Sequence, residues 1–151
     1  MFVYDGKTST VLKNKDGKPF NNVWSIIEDK KGNIWFGDAA GLWRYEPSAT
    51  LPTGSGTFIK VSSRGAYAII EDKKGNIWTT EVNSQEGVWA LSRYDVRSLY
   101  KNPRITEVLS ATNGLFGILE ARDGSIWVGA SDGVYRYDGK TVTKFNSKKR
   151  Q

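Results

Sequence analysis

Histidine and cysteine are both absent from the 151 residues. Their absence removes the usual zinc ligands, the thiol nucleophile and the commonest general base. No disulfide can form, so cysteine usage says nothing about redox compartment. Long apolar runs are also missing. A hydrophobic content of 38% and a mean hydropathy of −0.49 argue against a membrane-embedded chain. No stretch sustains a helical period, because glycine-containing turns interrupt the pattern every few residues.

What the chain does have is self-similarity. Ile26–Trp35 reads I-I-E-D-K-K-G-N-I-W, and Ile69–Trp78 repeats the same ten letters. A looser copy, I-L-E-A-R-D-G-S-I-W, runs from Ile118 to Trp127. A second anchor follows each tryptophan: Arg44-Tyr45, Arg93-Tyr94 and Arg136-Tyr137. The tryptophans Trp35, Trp78 and Trp127 stand 43 and 49 residues apart. The difference traces to Glu81–Glu86 and to Val96–Pro103 in the second copy, while the first has its own excursion from Pro47 to Gly56. A period of this size marks a duplicated supersecondary unit.

Each unit reads as four short strands. The first covers Val23–Glu28, Tyr67–Glu71 or Phe116–Glu120. A tight hairpin follows, with Gly32, Gly75 and Gly124 placed where a left-handed conformation is needed. A second strand carries the tryptophan and a third the Arg-Tyr pair. A turn at Asp138-Gly139 and a strand at Thr141–Phe145 close the third unit. Four antiparallel strands per 40–50 residues predict an all-β chain of β-propeller blades. Full blades are expected near 23–62, 66–110 and 115–146, within one domain spanning 1–151. Tyr4-Asp5-Gly6-Lys7-Thr8 recurs as Tyr137-Asp138-Gly139-Lys140-Thr141, so 1–12 reads as the back half of a further blade.

The pattern V-x-S-I-I-E-D-x-x-G-x-I-W-x-G-x-x-x-G-L-x-R-Y stands nearly complete at Val23–Tyr45. It returns with an insertion at Ala66–Tyr94, and with Ala121 in the acidic position at Leu115–Tyr137. It resembles the two-component regulator propeller repeat. The resemblance implies a β-propeller from the periplasmic sensor region of a bacterial hybrid histidine kinase, often tied to carbohydrate sensing. It implies no catalytic residues and no cofactor. A segment cut from such a sensor belongs in the periplasm; a complete chain in which Met1 leads straight into a strand belongs in the cytoplasm. The compartment stays open between the two.

Closed propellers have about 4–8 blades. Three and a half cannot close, so association with further copies is expected, a homodimer first.

Trp24, Tyr67 and Phe116 share one repeat position, second in the first strand. In a propeller that strand lines the central channel, which makes these three the candidate ligand-stacking residues. Packing between blades is the competing role for such aromatics. Trp35, Trp78 and Trp127 read as structural, with Arg44, Arg93 and Arg136 either pairing with neighbouring blades or covering aromatic faces. The acids at Glu28-Asp29, Glu71-Asp72 and Glu120 invite a glycosidase reading. Asp123-Gly124-Ser125-Ile126-Trp127 also resembles a sialidase Asp-box. Repetition of the acids before a hairpin favours turn capping instead. A net charge of +6 raises nucleic-acid binding, but Lys30-Lys31, Lys73-Lys74 and Lys148-Lys149-Arg150 are scattered over turns and the tail, without a binding motif. The reading that results is a non-catalytic, ligand-binding sensor module. An interaction scaffold and a glycoside-acting enzyme are its alternatives.

Overall fold

The computed structural model describes residues 1–20, 22–47 and 56–145. Most of the Pro47–Gly56 excursion, the basic tail and position 146 of the third blade lie outside the described residues. Among the described residues every regular element is a strand, and no helix is long and apolar enough to cross a membrane.

Among the described residues fourteen strands form four sheets. Strands β1 (Phe2–Tyr4) and β2 (Ser9–Val11) make a hairpin. The first blade holds β3 (Ser25–Glu28), β4 (Ile34–Asp38), β5 (Gly41–Pro47) and β6 (Gly56–Ser62) in sequential antiparallel order. The second holds β7 (Gly65–Glu71), β8 (Ile77–Asn83), β9 (Val88–Tyr94) and β10 (Ile105–Ala111). The third holds β11 (Leu115–Glu120), β12 (Ile126–Ala130), β13 (Gly133–Tyr137) and β14 (Val142–Phe145). These are the four-stranded, up-and-down sheets of propeller blades.

The chain divides into two compact units, Met1–Ala66 and Tyr67–Gln151. In the first, Phe20 is buried against the sheet, 4.7 Å from Phe36, 5.2 Å from Trp43 and 5.0 Å from Phe58. Gly37 is a close-approach glycine: a Cβ there would lie 2.2 Å from the carbonyl oxygen of Ala66. In the second unit Trp78 and Leu91 of one blade pack with Leu115, Ile126 and Val128 of the next. Lys73 straps the two blades together. Its backbone N–H donates to Glu120 Oε2 at 2.9 Å, and its ammonium donates to the Ala121 and Arg122 carbonyls.

The N-terminal hairpin reproduces the end of the third blade bond for bond. Asp5 Oδ1 accepts from the Lys7 and Thr8 amides at 2.8 Å, as Asp138 Oδ1 does from Lys140 and Thr141. Tyr4 and Tyr137 each donate a hydroxyl to the carbonyl two residues on, at 2.9 Å. The pair at the centre of each turn is Gly-Lys, with Asp at the preceding corner, one residue later than the Asp138-Gly139 reading.

Candidate functional site

Each D-x-x-G turn is built around its aspartate. The Gly32 N–H donates to the Asp29 carbonyl and the Asp29 N–H to the Asn33 carbonyl. With Gly32 at φ +83° this is a three-residue hairpin loop ending in a left-handed glycine. The buried Asp29 carboxylate accepts from the Lys31 and Asn33 amides, from Asn33 Nδ2 and from Trp35 Nε1 at 2.8 Å. Asp72 does the same for Lys74, Asn76 and Trp78. Burial raises the pKa of both acids, but these donors outweigh it and leave both below the ordinary 3.8. These bonds tie both carboxylates to their turns.

Opposite each tryptophan on the neighbouring strand sits an arginine. Its guanidinium carbon lies 5.5 Å over Trp35, 5.8 Å over Trp78 and 5.9 Å over Trp127, within cation–π range.

The candidate ligand residues fall in both units. Trp24 belongs to the first unit, just ahead of β3. It is 41% exposed and donates its backbone N–H to Gly37. Tyr67 and Phe116 lie in the second unit with ring centroids 6.4 Å apart. Between them stands a residue the sequence reading missed: Trp89, 4.6 Å from Tyr67 and 5.4 Å from Phe116. The apparent insertion at Glu81–Glu86 explains its position. Val82 and Asn83 are strand residues paired with Trp89 and Val88, so the insertion lengthens the β8–β9 hairpin and carries Trp89 out to its end. The alternation Trp89, Leu91, Arg93 was the available signal. Phe116 is 54% exposed. Its ring folds back over Gly114, where a Cβ would lie 2.2 Å from it, while the neighbouring Gly117 faces open space.

A polar cleft of about 390 Å³ lies at the opposite, turn end of the second unit. It brings Lys74, Arg93 and Arg122 together with Asp72, Asp123 and Asp138, so its charges balance. In the first unit a hollow of about 370 Å³ borders Phe20 and Trp43, with the Trp43 indole N–H bound to Asp38 Oδ1 at 3.2 Å. Among the described residues no three carboxylates gather as metal ligands would.

Residues 17–40 match the family model described as two component regulator propeller. Two solved structures of the extracellular domain of BT4673 from B. thetaiotaomicron share the propeller-type fold. One is described as a hybrid two component system and the other as a one component system. Identity is 20% in both, with TM-scores of 0.75 and 0.77, over 97% and 99% of this chain. The chain spans only 19% and 20% of those two chains. No curated protein matches the chain.

Proposed function

We propose that this chain is a non-catalytic, ligand-binding module of a sensor, taking a carbohydrate on the aromatic cluster of its second unit. The observation that carries the reading is the Tyr67–Trp89–Phe116 cluster, held near the leading ends of β7, β9 and β11 with the Phe116 ring half open to solvent. Aromatic faces present apolar area with little rotamer entropy to lose, which suits the C–H face of a sugar ring. The family repeat and the fold shared with a two component system's extracellular domain support a sensing role and placement outside the cytoplasm. The propeller reads as a single domain, associating with copies of itself and needing neither cofactor nor nucleic acid.

Calorimetric titration with a panel of oligosaccharides tests this. Trp89→Ala and Phe116→Ala should each weaken binding about tenfold, near 1.4 kcal/mol per lost stacking contact. Absence of heat across the panel, or unchanged affinity in both variants, sinks it. The scaffold reading draws support from the open apolar face of the third blade, where Leu119 is 63% exposed. Turnover of a chromogenic glycoside that disappears in Glu28→Gln or Glu71→Gln would replace sensing with catalysis.

A further inference from the structure

Each blade stacks an arginine on its tryptophan, and in two of the three a carboxylate takes the guanidinium. Arg44 closes on Glu46 at 2.7 Å in the first blade, and Arg136 on Asp123 at 3.1 Å in the third. The second blade offers Arg93 neither partner. Two places after Arg93, where the first blade has Glu46, stands Asp95. Its Oδ1 accepts the Arg97 amide and its own N–H donates to the Arg104 carbonyl, so it opens the loop after β9. The turn position that Asp123 fills in the third blade is Lys74 in the second, a cation instead of an acid. Half-buried Arg93 lies over Trp78 and meets no hydrogen-bond acceptor among the described residues.

Arg93 lines the cleft of about 390 Å³ at the turn end of the second unit, a volume within the range of small-molecule pockets. Lys74 and Arg122 line it too, exposed, and their side chains have no partner among the described residues. The carboxylates around the cleft balance the cations in number, but their oxygens already hold other donors. Asp72 and Asp138 take turn amides. Glu120 takes the Lys73 amide, and Asp123 takes Ser125 and Arg136. Unused hydrogen-bonding capacity is therefore concentrated on the cations. A guanidinium presents N–H donors in a fork that fits the two oxygens of a carboxylate. The acids nearby repel a second negative charge, which makes a phosphate dianion the poorer guest.

We propose that this cleft is a second binding site, taking the carboxylate of a small acidic molecule, such as a sugar acid, on Arg93 with Lys74 and Arg122 beside it. The bound carboxylate would supply to Arg93 what Glu46 supplies to Arg44 and Asp123 to Arg136. The site lies at the opposite end of the second unit from the Tyr67–Trp89–Phe116 cluster and does not depend on it. Titration with neutral oligosaccharides and the experiment below therefore fail separately.

The probe is sodium glucuronate, with glucose and inorganic phosphate as comparisons and ionic strength held constant with sodium chloride. NMR reads the Arg93 Nε–H signal, assigned by its disappearance in Arg93→Gln. Glucuronate should shift that signal saturably, phosphate should bind more weakly, and glucose should leave it in place. Lys74→Asp puts an acid where the third blade has Asp123. It should move the Arg93 signal toward that of Arg136 without any ligand and weaken glucuronate at least tenfold. Arg93→Gln should weaken glucuronate as much, read by saturation transfer on the sugar acid, with circular dichroism unchanged. A shift that chloride alone reproduces, or one that glucose matches, overturns the site. Phosphate binding more tightly than glucuronate overturns the choice of a carboxylate. Glucuronate affinity undiminished in both variants overturns the assignment to Arg93.

Discussion

The first two blades and the third solve one problem with different residues. Each must seat an indole N–H behind a glycine turn. In the first two, a single aspartate at the turn's first corner takes the indole and two turn amides together. In the third, Ala121 occupies that corner. The backbone turn is nonetheless unchanged: the Gly124 N–H still donates to residue 121, and the residue 121 N–H to residue 125. The polar work passes to a relay. Trp127 Nε1 donates to Ser125 Oγ at 3.0 Å, Ser125 Oγ donates to Asp123 Oδ1 at 2.6 Å, and Arg136 closes on Asp123 Oδ2 at 3.1 Å. The Ser125 hydroxyl and amide, followed by Arg136, hold the Asp123 carboxyl down at about 2. Backbone geometry is thus set by the glycine. The side-chain latch is replaceable, provided something accepts the indole proton.

The largest break in this comparison comes from Asp72→Ala. Trp78 is buried and its indole N–H would lose its acceptor, along with two turn amides. A buried donor left unpaired costs about 1–3 kcal/mol, so a loss of about 3 kcal/mol in urea unfolding is expected. Ser125→Ala should cost about 1 kcal/mol, because Trp127 is only half-buried and water can replace the hydroxyl. Equal losses in the two variants would show that the relay is as indispensable as the single aspartate.

How much of this was legible beforehand depends on what repeats. Gly32, Gly75 and Gly124 all take φ near +85°, and only glycine does so cheaply, so the turns were plain in the letters. The Trp–Arg pairing was legible in part, since each tryptophan is followed by an Arg-Tyr pair, nine residues on in the first and third copies and fifteen in the second. Trp89 was not. It occurs once, in a stretch whose Asn, Ser, Gln and Glu read as loop, and only pairing with Val82 reveals a strand. The grouping of Tyr67 with Phe116 followed from their shared repeat position, but Trp24, at that same position, lies in the other compact unit. The relay around Ser125 also escaped notice, because a hydroxyl standing in for a carboxylate leaves no motif.

Acid offers a smaller and graded test. The carboxyls of Asp29 and Asp72 have folded pKa values below the ordinary 3.8. Their stabilisation is therefore complete above the unfolded value and fades as pH falls from about 4 through the lower folded values. Unfolding midpoints measured between pH 6 and pH 2 should drop below pH 4. Asp29→Asn with Asp72→Asn should lower the starting stability and flatten that drop. An undiminished slope in the double variant would assign the acid sensitivity to the exposed turn aspartates, Asp5 and Asp138, whose carboxyls are also held low by turn amides.

The smallest expected effect sharpens the comparison most. Ala121→Asp with Ser125→Asn rebuilds the first-blade latch in the third blade, on a turn whose backbone bonds already match. Trp127 would exchange a hydroxyl acceptor for a carboxylate, and a charge-assisted bond is the stronger of the two. Yet Trp127 is only half-buried and Asp123 would lose its serine partner, so the gain is limited to about 0.5 kcal/mol, within the range for surface changes. A thermal midpoint raised by a degree or two is the expected result. A gain as large as the Asp72→Ala loss would mean that the latch carries the same energy at an exposed position as at a buried one. Burial would then not be what separates the blades, and the contrast between Asp72 and Ser125 would have to be sought in the turn amides they hold.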